Sequence, residues 1–262
     1  MSLVPATRAQ LAALADLREA SGRRASGRLL VEGPTLLLEA LAAGLLPALV
    51  AAEDPPADGA REALERARAA GAPLVGVSAR DAARISDREH ARGLLAAVPQ
   101  PRAWDGVLPA VGPVLVLALC GLQDPGNAGT LLRSARAFGA AAVLFVPGSA
   151  DPFGPKVVRA SAGAALRVPL GAAETSALPA LARRHGLRLL AAQPPRADAG
   201  PGSAHGAPPA RCLLLLGHET RGVPGLPDAE PAVVPHEPGV ESLNVAMAGS
   251  ILLADWYRAH RA

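Results

Sequence analysis

The chain has 262 residues, half of them hydrophobic but only 2% aromatic, with a formal net charge of +3. That length holds one large domain or two modest ones, with a core built from Leu, Val and Ala. The apolar runs fall well short of the ~20 residues that span a bilayer, and the first thirty residues lack a signal-peptide stretch. Cys120 and Cys212 are the two cysteines, both inside strand-like runs. A disulfide framework or metal site is therefore not expected, and the chain reads as cytoplasmic and unanchored. Lys156 is the single lysine among 26 basic residues. Residues 1–105 carry 13 basic and 13 acidic side chains and residues 106–262 carry 13 and 10, so the basic surplus lies in the second half.

Leu spacing over residues 9–18 predicts an amphipathic helix. Residues 27–32 read as a strand ended by Gly33-Pro34, followed by a helix from Thr35 to Ala43 with Thr35 as N-cap. Strand-like residues 45–52, a charged helix over 61–70 and a short strand at 74–77 complete an α/β module. The Pro-containing stretch 100–109 marks the boundary, giving domains at 1–105 and 106–262. Beyond it, Val114 to Cys120 is a buried-type strand. A helix over 128–138 follows, with Asn127 as N-cap and Gly139 as left-handed C-terminal cap. Further strands are expected at 141–146, 187–192, 213–216 and 232–234, and helices at 155–163 and 179–185. Residues 193–210, rich in Pro, Gly and Ala, read as a surface loop. The last helix runs from Ser242 to about Arg258.

Three segments stand where an apolar strand gives way to a turn or helix start, the edge at which α/β proteins form ligand sites. They are Asn127-Ala-Gly-Thr-Leu-Leu-Arg133, Gly217-His-Glu219-Thr-Arg-Gly222 and Ser242-Leu-Asn244-Val-Ala246. Taken singly, Asn127 and Ser242 read as caps, and Arg133 as a solvated helix residue. The first segment lacks the G-x-G-x-x-G spacing, which disfavours a dinucleotide site.

Together and in this order they resemble the three motifs of the SpoU (TrmH-like) branch of SPOUT RNA methyltransferases. Arg133 stands where the family's motif 1 has its arginine, Gly217-x-Glu219-x-x-Gly222 matches motif 2, and Val234-Pro235 with Ser242-Leu-Asn244 matches motif 3. One departure is Pro235-His-Glu-Pro238-Gly239, where many members have Pro-Met-x-Gly. Residues 155–163, with Arg159, and residues 29–44 are also similar to the family, the latter to its L30e-like RNA-binding module.

The resemblance implies an α/β fold, with a trefoil-knotted SPOUT domain of mostly parallel sheet behind a smaller L30e-like domain. It implies S-adenosylmethionine as cofactor, held by Gly217, Gly222, Val234, Pro235, Leu243 and Asn244. It implies a homodimer that completes the active site, and 2′-O-ribose methylation of structured RNA, ribosomal RNA ahead of transfer RNA. Arg133 would be the central catalytic residue, oriented by Asn127 and Glu219, with Ser242 or Asn244 positioning ribose or cofactor. Arg23, Arg24, Arg28, Arg133 and Arg159 would contact RNA phosphates. The rival readings are a nucleotide-binding α/β enzyme and a non-catalytic RNA-binding protein on the same scaffold.

Overall fold

The computed structural model describes residues 3–56, 59–86, 93–195, 207–218, 222–223, 225–226, 228–237 and 239–261. They divide into two units. The first comprises the described residues up to Pro101 together with Asp151–Arg167, and the second comprises Arg102–Ala150 and the described residues from Val168.

In the first unit a Thr7–Gln10 capping box starts α1 (Arg8–Asp16), and α2 (Ala20–Ser26) leads into β1 (Arg28–Glu32). Next come α3 (Pro34–Ala42), β2 (Leu49–Ala52), α4 (Ala60–Ala69), β3 (Leu74–Gly76), α5 (Ala79–Ile85) and β4 (Leu94–Pro99). The sheet order is β1-β4-β2-β3, with β4 antiparallel to both neighbours and β2 parallel to β3. The helix expected to be capped by Thr35 instead begins at Pro34 behind Gly33. Proline is pre-organised for the first helical position, where its missing N–H costs nothing, so Gly-Pro starts the helix.

The second unit opens with β5 (Val114–Cys120), α6 (Pro125–Ala137) and β6 (Ala142–Phe145). The chain then enters the 151–167 segment, which carries α7 (Pro155–Ala160). Back in the second unit are β7 (Leu170–Ala172), α8 (Leu178–His185), β8 (Arg188–Gln193), β9 (Arg211–Gly217), β10 (Glu230–Val233) and α9 (Val245–His260). Their sheet has the order β10-β8-β9-β5-β6-β7, and every pairing is parallel. All seven residues of β5 and six of the seven of β9 are buried, which is why both read as unbroken apolar runs.

Three ion pairs tie the 151–167 segment into the first unit: Arg23–Asp151, Arg159–Glu32 at 2.8 Å and Arg167–Glu39 at 2.9 Å. The Glu32 carboxylate is buried and also accepts a hydrogen bond from the Ser86 hydroxyl. A boundary placed by composition at 105/106 cannot see this, because the segment is joined by charge partners more than a hundred residues away.

In the second unit α9 packs along α6 as a parallel seam. Asn244 Nδ2 donates to Asn127 Oδ1 at 3.1 Å, and the Ser134 and Ser250 hydroxyls are 2.7 Å apart. The rings of Phe138 and Tyr257 lie 5.9 Å apart. Residues 127, 134 and 138 share one face of α6, together with Leu131. Between these contacts sits Gly249, where a Cβ would come within 2.4 Å of Leu216 Cδ1 and 2.6 Å of Leu131 Cδ2. Replacing Gly249 with Val is expected to destabilise the second unit by about 1–3 kcal/mol through overpacking, measured by chemical denaturation against the parent protein.

Candidate functional site

The helix bearing Arg133 starts earlier than the residue pattern suggests. Asp124 is its N-cap, accepting from the Asn127 amide at 2.6 Å, and Pro125 takes the first position. Asn127 is therefore in the first turn of α6 and not its cap, which leaves its side chain available to Asn244. At the other helix the correction is parallel. The N-cap of α9 is Asn244, not Ser242: Asn244 Oδ1 accepts from the amides of Ala246 and Met247 at 2.9 and 3.2 Å. An asparagine side chain both accepts and donates, so one residue caps α9 and holds Asn127.

The second segment depends on a close backbone approach. After β9 the amide of His218 donates to the carbonyl of Gly222 at 3.1 Å, and the reverse bond is 2.8 Å. A Cβ on Gly217 would lie 2.1 Å from the carbonyl carbon and oxygen of Gly222, so no larger residue fits without moving the turn. Gly222 itself has φ of +67°, the left-handed region. Glu219 lies outside the described residues.

These segments converge on a cavity of about 260 Å³ at the carboxyl ends of β8 and β9. Gly217, Gly222, Val234, Ser242, Leu243 and Asn244 all line it, as do Leu216, Ala248 and Leu252. Pro235, exposed, is not among the lining residues. Gln193, Pro194, His218 and His236 also contribute to the wall. Gln193 and Pro194 stand at the end of β8, and the strand-end position is the signal that could have found them. A larger cavity of about 310 Å³ touches the start of β8 and β9 through Arg188 and Cys212 and contains none of the three segments. There Arg188 Nε donates to Glu230 Oε1 at 2.8 Å, and that hydrogen bond holds the Glu230 carboxyl below its ordinary range.

Arg133 is exposed on α6, six residues and roughly a third of a turn away from the Asn127 face. It does not line the cavity and makes no hydrogen bond or ion pair among the described residues. The expectation that Asn127 orients Arg133 is thus replaced: the Asn127 amide side chain meets Asn244.

Of the basic residues assigned to RNA, Arg24 and Arg28 are exposed. Arg23 is buried. Its guanidinium donates to the carbonyls of Leu17 and Arg18 at the end of α1 and pairs with Asp151, so it is a structural residue and not a phosphate contact. Arg159 is likewise engaged by Glu32. Burial pushes the Cys120 thiol up to about 11 and the Cys212 thiol to about 12, leaving both protonated and unreactive near neutrality. Among the described residues no group of three His, Cys, Asp or Glu side chains is arranged to hold a metal ion, and no helix is long and apolar enough to cross a membrane.

Residues 114–254 match the SpoU rRNA Methylase family, and residues 9–96 match the MRM3-like substrate binding domain. The chain belongs to the SpoU rRNA methylase family. It is 31% identical over 261 residues to a Synechocystis protein named as an uncharacterized tRNA/rRNA methyltransferase, covering 95% of this chain and 89% of that one. It is 32% identical to mouse mitochondrial rRNA methyltransferase 3 over 56% of this chain and 36% of that protein. Among solved structures, an RNA 2′-O ribose methyltransferase shares 28% identity with a TM-score of 0.81 and 99% coverage of both chains. An AdoMet-bound rRNA methyltransferase from Sinorhizobium meliloti has a TM-score of 0.80 at 24% identity, a likeness of fold, covering 98% of this chain and 97% of that one.

Asn244→Ala removes the α9 cap and the bond to Asn127 together. It is expected to cost about 1–2 kcal/mol in denaturant unfolding. Asn244→Asp keeps the capping oxygen but not the donor, and should recover part of that loss.

Proposed function

We propose that this protein transfers a methyl group from S-adenosylmethionine to a ribose 2′-hydroxyl of structured RNA, with ribosomal RNA favoured over transfer RNA. The observation that carries this reading is the convergence of motif 2 and motif 3 residues on one strand-end cavity, hydrogen-bonded through Asn244 to the helix that bears Arg133. The substrate preference is supported by the family's rRNA designation and the mitochondrial rRNA methyltransferase relatives. The 2′-hydroxyl specificity is supported by the solved ribose methyltransferase with which the whole chain aligns.

The cavity fits the cofactor on its own chemistry. Leu216, Val234, Leu243 and Leu252 offer apolar walls for a nucleoside's faces, and the glycines at 217 and 222 leave main-chain groups uncovered for its polar edge. When bound, S-adenosylmethionine supplies an electrophilic methyl carbon. What the chain must add is alignment and charge. A guanidinium, with a pKa above about 12, does not act as the base. Arg133 instead holds the RNA phosphate and the negative charge that develops on the attacking oxygen. Arg24 and Arg28 remain phosphate contacts in the same reading, with Glu219, Ser242 and Asn244 grouped around the acceptor. The knotted chain path implied by the family also belongs to this reading, supported by β9 lying between β5 and β8.

Because Arg133 stands outside the cavity lining, it serves a site completed by a second copy of the chain. Met247 and Ile251, 58% and 37% exposed and one turn apart on α9, support a homodimer through that helix. Arg133→Ala should lower methyl incorporation into RNA by about 100-fold or more, while calorimetry shows S-adenosylmethionine affinity within roughly threefold of the parent protein. Gly217→Val should abolish cofactor binding. Mixing these two inactive variants restores turnover only if Arg133 acts on its partner's cavity, so no recovery after subunit exchange counts against the shared site.

A further inference from the structure

The stretch from Val234 to Val240, which departs from the Pro-Met-x-Gly pattern, is bridged by one side chain. His236 Nδ1 lies 2.9 Å from the Val234 carbonyl oxygen, and Nε2 lies 3.1 Å from the Val240 carbonyl oxygen. A carbonyl oxygen only accepts, whereas a neutral imidazole has one N–H and one lone pair. Either neutral tautomer makes one hydrogen bond and turns a lone pair on the second oxygen. Only the imidazolium donates to both.

We propose that His236 is a positioning residue that, as a cation, staples the 234–240 loop against the cavity and makes cofactor affinity depend on pH. This rests on the assignment of the cavity to S-adenosylmethionine. Val234 is buried and lines that cavity, while Val240 is half exposed, so the staple joins an inner wall to an outer turn. The titratable groups nearby are Glu237 and Glu241 in the same loop and His218 on the turn after β9. The amino end of α9 contributes a positive dipole that opposes the cation. Among the described residues no carboxylate is within ion-pair distance of His236. The two carbonyls therefore select the charged ring. The sign follows: the staple is intact at low pH, where the ring is protonated, and one bond is lost as pH rises.

Two measurements test this. In the free protein, ¹⁵N-histidine NMR should show both His236 ring nitrogens carrying protons near about pH 5 and one of them losing its proton by about pH 8. A ring with a single N–H throughout overturns the proposal without reference to any cofactor. Calorimetry with S-adenosylmethionine should show affinity falling about tenfold over the same range, roughly one net hydrogen bond. His236→Gln should give a flat, weaker profile, and His218→Ala should retain the parent slope whatever its affinity. A His236→Gln profile with the parent slope, or affinity that rises with pH, overturns the proposal. If both nitrogens are protonated at low pH but the cofactor binds at no pH, the staple stands and the cofactor assignment falls.

Discussion

The close approach of α9 to α6 and β9 at Gly249 decides where the polar groups of the site can stand. With two leucine methyl groups occupying the space a Cβ would need, the helices meet at a distance only glycine permits. At that distance the Ser134 and Ser250 hydroxyls reach each other, and the amino end of α9 comes within hydrogen-bond range of the first turn of α6. Asn244 is then asked to do two things at once, and its side chain is one of the few that can. The carboxyl ends of β8 and β9 and the loop before α9 enclose the cavity around this fixed point.

Charge is distributed with a similar economy. The buried and half-buried ion pairs lie in the first unit, where Arg23, Arg159 and Arg167 hold a segment drawn from the middle of the second unit's chain. A buried carboxylate such as Glu32 is tolerable only with its cation and its hydroxyl donor in place. The cavity of the second unit is instead lined by apolar side chains, main-chain groups, asparagine, serine and histidine. That contrast fits a division in which one unit uses arginines to build itself and the other keeps its ligand site nearly free of fixed charge. His236 is the exception, since its two carbonyl neighbours favour a charged ring without any carboxylate beside it.

Much of the fold was legible. The seven-residue run 114–120 and the run ending at Gly217 became β5 and β9, and Gly139 and Gly186 take the left-handed positions that end their helices. The errors share a cause. Gly33-Pro34 and Asp124-Pro125 were taken as breaks or loops, although proline at the first helical position starts a helix, and so Thr35 and Asn127 were misassigned as caps. The short helices α2 and α5 and the strands β4 and β7 have too few residues for periodicity to distinguish them. Arg23 and Arg159 looked like phosphate ligands because a sequence shows charge but not the carboxylate that will meet it.

By itself, the order of residues determined the strand runs, the glycines at tight turns and the three motifs whose chemistry points to one family. These are local properties, set by side-chain type and spacing along the chain. Tertiary structure alone decided that Asn244 would cap a helix and hold Asn127, and that residues 151–167 would join the first unit. It also decided that His236 would face two carbonyls at once. Each of these is a meeting of groups across a fold, and a hydrogen bond or ion pair exists only once packing has brought donor and acceptor within about 3 Å.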